Sequence, residues 1–252
     1  MQIYNQGREI ELAKLEQLAR AQNVRAWLIG EFHHEKNGAT FQREVINFLK
    51  PSILLTEGKT CFEDTDNCFT PEKARKYLAE WGDINPCSFL ELAVEANVNL
   101  INCDRLSPEE IKRIEANALL LRYGTSNLDE IASKHYGLPI PLKDYTAEGA
   151  KRYCNDTYLV TQNASCMARD EVMAKYIAEN LGTVANPAVG IFGADHLCLR
   201  KPNILIHPPL RSYPVLVLNP LKIQNRLPLD INVLSYDAVI LGPTSSEESQ
   251  VN

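Results

Sequence analysis

The sequence predicts an α/β fold: a three-layer α/β/α domain around a mainly parallel, mixed central sheet. Two observations predict it. Short apolar runs of strand length recur along the chain, and segments with helical periodicity separate most of them. A length of 252 residues suits one large α/β domain, so the whole chain is read as a single domain with its core over about 24–241.

The elements follow in order. A helix is expected over 8–22, where Ile10, Leu12, Leu15, Leu18 and Ala19 fall near one face. Residues 24–29, apolar after Arg25, form the first strand. The spacing of Phe41, Val45, Phe48 and Leu49 predicts a helix over 40–50, ended by Pro51. A second buried strand occupies 52–56, and the polar stretch 58–69 reads as a loop. Thr70-Pro71-Glu72 opens a helix that reaches about Trp81, with threonine as N-cap and proline in the first turn. A short helix over 87–96 leads to a third strand at 98–102. Ser107-Pro108-Glu109-Glu110 is a capping box, and the helix it starts stops at Gly124. Another short helix is expected over 128–133, and 138–145, with two prolines, is a loop that could cover a site. A long helix over 162–181 ends at Gly182. Later strands fall at 188–192, 203–206, 213–218 and 236–241, and 243–252 reads as a flexible polar tail.

Composition narrows the function. The net charge of −6 leaves no basic surplus for nucleic acid or anionic membrane. The first 22 residues lack a basic stretch followed by an apolar one, and no run reaches the ~18 apolar residues of a spanning helix. A cytoplasmic protein is expected, with export by a signal-independent route left open. Seven cysteines, an odd number without a Cys-x-x-Cys pair, suit free thiols in a reducing compartment. The serine-hydrolase elbow, the P-loop and the dinucleotide fingerprint are all absent from the sequence.

Ligands of such sheets sit beyond the carboxyl ends of the strands. That edge collects Gly30-Glu31-Phe32-His33, Glu57-Gly58, Cys103-Asp104-Arg105 and Gly193-Ala194-Asp195-His196. Two of these segments share the pattern Gly-x-x-His. Glycine would let the chain turn sharply there, and the histidine would point back over the edge. One histidine past a strand is an ordinary loop residue; two, with Glu57 expected between them, point to a site.

These residues resemble the superfamily of erythromycin esterases, ChaN and Tiki/TraB proteins. Gly30-Glu31-Phe32-His33, Arg43 and Leu54-Leu55-Thr56-Glu57 are similar to its opening. Asp104-Arg105, the helical Arg169-Asp170-Glu171-Val172-Met173-Ala174 and Gly193-Ala194-Asp195-His196 are similar to the Tiki/TraB branch, in which two Gly-x-x-His motifs frame the site. Tyr236-Asp237-Ala238-Val239-Ile240 resembles the last strand of the esterase branch. Members include esterases that open macrolide rings, metal-dependent proteases of the Tiki type and haem-binding ChaN proteins. The resemblance implies an erythromycin esterase/ChaN-like fold. It also implies a site of Glu31, His33, Glu57, Arg169 and His196, with Asp104 and Arg105 nearby; His34 is a further candidate for touching substrate.

Hydrolysis needs one group to take a proton from water and another to hold the developing oxyanion. His33 titrates in a suitable range for the base. Glu31 or Glu57 could orient it or serve as base, and the guanidinium fork of Arg169 could hold an oxyanion. Alternatively, His33, Glu57 and His196 could bind a divalent metal, with manganese, cobalt and zinc all suitable and positions left for water. The spacing leaves both mechanisms open. The expected function is a hydrolase acting on an ester or peptide bond of a small-molecule or peptide substrate. The alternatives are a haem or small-molecule binding protein, served by Tyr145, Tyr153 and Tyr158, and a divergent effector or toxin domain. Plainer roles stand beside these. Arg169 could pair with Asp170 or Glu171, and Asp104-Arg105 could be a structural salt bridge. His135 and His207 are expected at the surface, and Met167 and Met173 in helical core.

Overall fold

A computed structural model describes residues 2–31, 36–57, 68–81, 88–138, 147–197, 204–220 and 235–241. The chain divides into two compact units, one of Met1–Asp104 with Val172–Asn252 and one of Arg105–Glu171.

The first unit holds the sheet. Its strands are β1 (Gln2–Asn5), β2 (Arg8–Glu9), β3 (Ala26–Glu31), β4 (Ile53–Thr56), β5 (Cys68–Phe69), β6 (Asn99–Asn102), β7 (Ala188–Gly193), β8 (Val215–Pro220) and β9 (Ser235–Leu241). Their order across the sheet is β2-β1-β9-β8-β3-β7-β4-β6-β5. The middle strands β8, β3, β7, β4 and β6 are parallel, while β9 runs antiparallel to β8 and β5 antiparallel to β6. The sheet is therefore mixed with a parallel centre, as the alternation of strand and helix patterns predicts.

Side chains alternate across this sheet with the strand period of two. Trp27, Ile29, Leu54, Leu100, Val189 and Ile191 join one core with α1 (Leu12–Ala21), α2 (Lys36–Leu49) and α4 (Ser88–Ala96). Ala26, Leu28, Leu55, Ile101, Ala188 and Phe192 join the other, with Met173, Ala174 and Ile177 from the last turns of α7 (Ala147–Glu179). Burial on both faces explains why β3, β4 and β7 read as apolar runs. The remaining helices of this unit are α3 (Pro71–Trp81), which Thr70 caps through the Lys73 amide, and the short α8 (Pro208–Arg211).

The second unit is helical: α5 (Pro108–Tyr123), α6 (Leu128–Tyr136) and the part of α7 before Val172. Both arms of the Ser107–Glu110 capping box form, and Gly124 ends α5 at φ 78°. Asn127 caps α6 and Gly137 ends it at φ 62°, a left-handed position that favours glycine. A small core of Leu119, Ile131, Ala132, Leu138 and Tyr153 holds the helices together.

Several elements differ from the sequence reading. The expected helix over 8–22 starts late, because Gln2–Asn5 and Arg8–Glu9 pair as a hairpin. Gln6 and Gly7 both take positive φ, 51° and 75°, the two-residue turn that suits hairpin twist. Cys68 and Phe69 form an edge strand within the expected loop. The segment expected as a strand at 203–206 is instead a 3-10 turn over Ile204–Ile206, cut short by the prolines of α8. The long helix begins at Ala147, well before 162. Its hydroxyls explain the miss. Thr157, Thr161 and Ser165 each donate back to a carbonyl one turn earlier, so hydroxyls that read as loop chemistry in the sequence are satisfied within the helix. Met173 is buried as expected, but Met167 is half exposed. The proposed covering loop and the tail lie outside the described residues, apart from Leu138.

Candidate functional site

Strand β7 lies between β3 and β4, so the carboxyl ends of all three stand side by side. Glu31 is opposite Gly193, and Thr56 is opposite Ile191, which brings Glu57 level with the end of β7. Oε2 of Glu57 accepts the backbone N–H of Gly193 at 2.6 Å, a short charge-assisted hydrogen bond. Oε1 of the same carboxylate faces Nε2 of His196 at 3.6 Å, an ion-pair separation just beyond hydrogen-bond reach. Both side chains are nearly buried, with 11% of His196 and 12% of Glu57 exposed. His196 rides on a 3-10 turn, Ala194–Leu197, that follows β7 directly. The sequence reading placed Glu57 and His196 in one site, and the structure brings them together.

The glycines of the two Gly-x-x-His motifs act differently from the expectation. The described glycines with positive φ are Gly7, Gly124 and Gly137, so neither Gly30 nor Gly193 makes a left-handed turn. Both make room. A Cβ on Gly193 would stand 3.2 Å from Oε2 of Glu57 and 3.4 Å from Cδ2 of His196. A Cβ on Gly30 would stand 2.5 Å from Oδ1 of Asn219 and 2.8 Å from Cδ of Pro220. Close approach of side chains to backbone is the physical reason for glycine at each. Gly182 is likewise a position of close approach, packed on Ala188, rather than a left-handed helix stop.

Other candidates take varied places. Glu31 accepts from Nε2 of Gln42 at 3.3 Å. The β4–β6 ladder continues past the strands, with Cys103 N–H on the Thr56 carbonyl at 2.8 Å. Next to it, Asn102 Oδ1 accepts the Asp104 amide at 3.0 Å, and Asp104 is buried. Arg43 donates to Glu95 of α4 at 2.9 Å and lies 3.6 Å from Glu91, so it ties two helices. The hydrogen bond to Glu95 holds the guanidinium pKa above its ordinary value. Arg105 and Arg169 belong to the second unit. His33, the third expected metal ligand, and His34 lie outside the described residues. Among the described residues no group of three or more metal-ligating side chains comes together. Among the described residues, Cys68 and Cys154 are free thiols.

Of the histidines expected at the surface, His135 is exposed, but Nε2 of His207 is buried without a hydrogen bond among the described residues. The second unit carries an open groove of about 590 Å³, lined by residues including Leu119, Leu128, Tyr153, Cys154 and Tyr158. Tyr153 and Tyr158 thus share one groove, yet the Tyr153 hydroxyl is spent on the Leu128 carbonyl at 2.9 Å. Sequence reasoning missed Gln42 and Asn219. The signal for Asn219 is a lone amide side chain at the end of the apolar run 215–218.

No family model matches the chain, and no curated protein matches it. Among solved structures, ChaN of Campylobacter jejuni, described for its cofacial haem binding, is similar in fold. The two agree at a TM-score of 0.53 and 16% sequence identity over 94% of each chain. This likeness supports the α/β fold, in line with the large sheet and its flanking helices. Among the described residues no helix is long and apolar enough to cross a membrane.

Proposed function

We propose that the edge formed by Glu31, Glu57 and His196 is the active site of a hydrolase that cleaves an ester or peptide bond. The arrangement of Glu57 carries the reading: one carboxylate oxygen is held by the Gly193 amide and the other faces the His196 imidazole. A carboxylate fixed in this way orients the ring and stabilises the imidazolium that forms once the ring takes a proton from water. His196 is then the general base and Glu57 its orienting partner. Glu31, across from Gly193 in register, adds a second carboxylate to the edge. His33 keeps the role expected for it, as a further base or metal ligand. The test is turnover of a panel of p-nitrophenyl esters and chromogenic peptides. His196→Ala should lower kcat/KM about 100-fold or more, the usual weight of a general base. Wild-type turnover in that variant overturns the reading.

A second reading is haem binding, favoured by the similarity to ChaN along nearly the whole of both chains. The residues fit. An imidazole with a carboxylate beside one ring nitrogen is a donor that haem iron accepts, and the Glu57 carboxylate stands beside Nε2 of His196. Haem would supply iron-centred chemistry or be cargo. His196 would hold the haem iron and Glu57 would set the orientation of its ring. A haem titration separates the readings. A Soret shift lost in His196→Ala, in a protein without turnover on the panel, selects binding, and an unshifted spectrum removes it.

A further inference from the structure

The His196 turn is held by a side chain on β8, the strand on the far side of β3 from β7. Asn219, near the end of β8, donates through Nδ2 to the carbonyl of Leu197 at 3.3 Å. Leu197 is the residue after His196 and the last of the 3-10 turn. The other end of the amide, Oδ1, is buried and makes no hydrogen bond among the described residues. It points at Gly30 of β3, where a Cβ would lie 2.5 Å away. The same Cβ would come within 3.3 Å of Cα of Ala194, the first residue of the turn.

We infer that Asn219 is a positioning residue for His196, and that residue 30 is glycine so that Asn219 can lie between β3 and the turn. The inference rests on the reading of His196 and Glu57 as the functional centre. Three supports then fix the imidazole: β7 leads into the turn, the Glu57 carboxylate faces the ring, and the Asn219 amide holds the turn's last carbonyl. The first glycine of the paired motifs thus serves the second histidine. An alanine at position 30 would push the amide away from Leu197 without touching the ring itself.

The experiment is NMR of uniformly 15N-labelled protein, full chain, observing the His196 ring nitrogens, with the Trp27 indole signal as reference for the sheet. Asn219→Ala should move the His196 ring signals while the Trp27 signal stays in place. Amide exchange over 194–197 should speed up about fivefold, the factor that one ordinary net hydrogen bond represents. Gly30→Ala should move the same ring signals in the same direction, and the double variant should add little, because both changes act through one contact. Asn219→Asp keeps the shape and removes the donor, so it should also shift the ring, and it serves where the alanine variant does not fold. Ring signals unmoved in either Asn219 variant overturn the inference, and so does a Trp27 shift as large as that of His196. The readout needs no substrate, so the two readings fail separately. Turnover lost in His196→Ala with no ring shift in Asn219→Ala removes the positioning role alone. A ring shift in a protein whose His196→Ala variant is fully active, and binds haem as the wild type does, removes the functional reading alone.

Discussion

The sheet unit and the helical unit solve the problem of stability differently. In the sheet unit most of the described large apolar side chains are buried or partly buried on two faces, and among the described residues Phe48 and Ile206 are exposed. In the helical unit Leu120, Leu121, Leu128, Tyr158, Leu159 and Met167 are all exposed, and the core is small. Its order rests more on polar structure. Two helices are capped at both ends, and a tyrosine chain runs through the unit: the Tyr123 and Tyr136 hydroxyls lie 3.1 Å apart, and Tyr136 donates to Asp156 at 3.1 Å. Apolar burial scales with area and is insensitive to pH, whereas caps and hydroxyl chains are directional and titratable. The sheet unit is thus the rigid platform, and the candidate site stands on it.

The largest expected effect comes from the platform. Leu28 is fully buried, and Leu28→Ala should cost about 3 kcal/mol in denaturant unfolding by loss of transfer energy and cavity formation. In the helical unit Ser107→Ala should cost about 1 kcal/mol, read as faster amide exchange at the start of α5, because it removes the cap on the Glu110 amide. The tyrosine chain sets a pH dependence. Burial first, and then the hydrogen bonds with Tyr123 and Asp156, push the Tyr136 hydroxyl above its ordinary pKa. A group raised in the folded state gives stability that is complete below the unfolded tyrosine value of about 10 and is lost as pH rises beyond it. Alkaline titration should therefore loosen the helical unit first, seen by amide exchange, and Tyr136→Phe should flatten that dependence. The smallest effect belongs to Leu121, which is 89% exposed. Leu121→Ala should change stability by less than about 0.5 kcal/mol, and a larger loss would show that the exposed apolar face is part of the fold.

The contrast also explains what the sequence makes legible. Strands β3, β4 and β7 are readable because burial on both faces leaves apolar runs, and the Ser107 capping box is readable because its chemistry is local. The N-terminal hairpin is hidden behind a helical spacing of leucines that starts two residues past it. The early turns of α7 are hidden because the back-bonds of Thr157 and Thr161 are visible only once the helix exists. At the site, the strand-end rule finds Glu57 and His196, since chain direction alone puts both on one edge. It could not find Asn219, whose role depends on β8 lying beside β3, a pairing of strands far apart in sequence. For the same reason the glycines read as turn formers in sequence and prove to be spaces kept open for Asn219 and Glu57.

The central claim is that His196 and Glu57 act as one unit. Its most direct measurement is kcat/KM for p-nitrophenyl ester hydrolysis by the wild type, His196→Ala, Glu57→Gln and the double variant. Each single change should lower the value about 100-fold or more, and the double variant should fall no further than the worse single one. Losses that multiply in the double variant, or full activity in either single one, would contradict it.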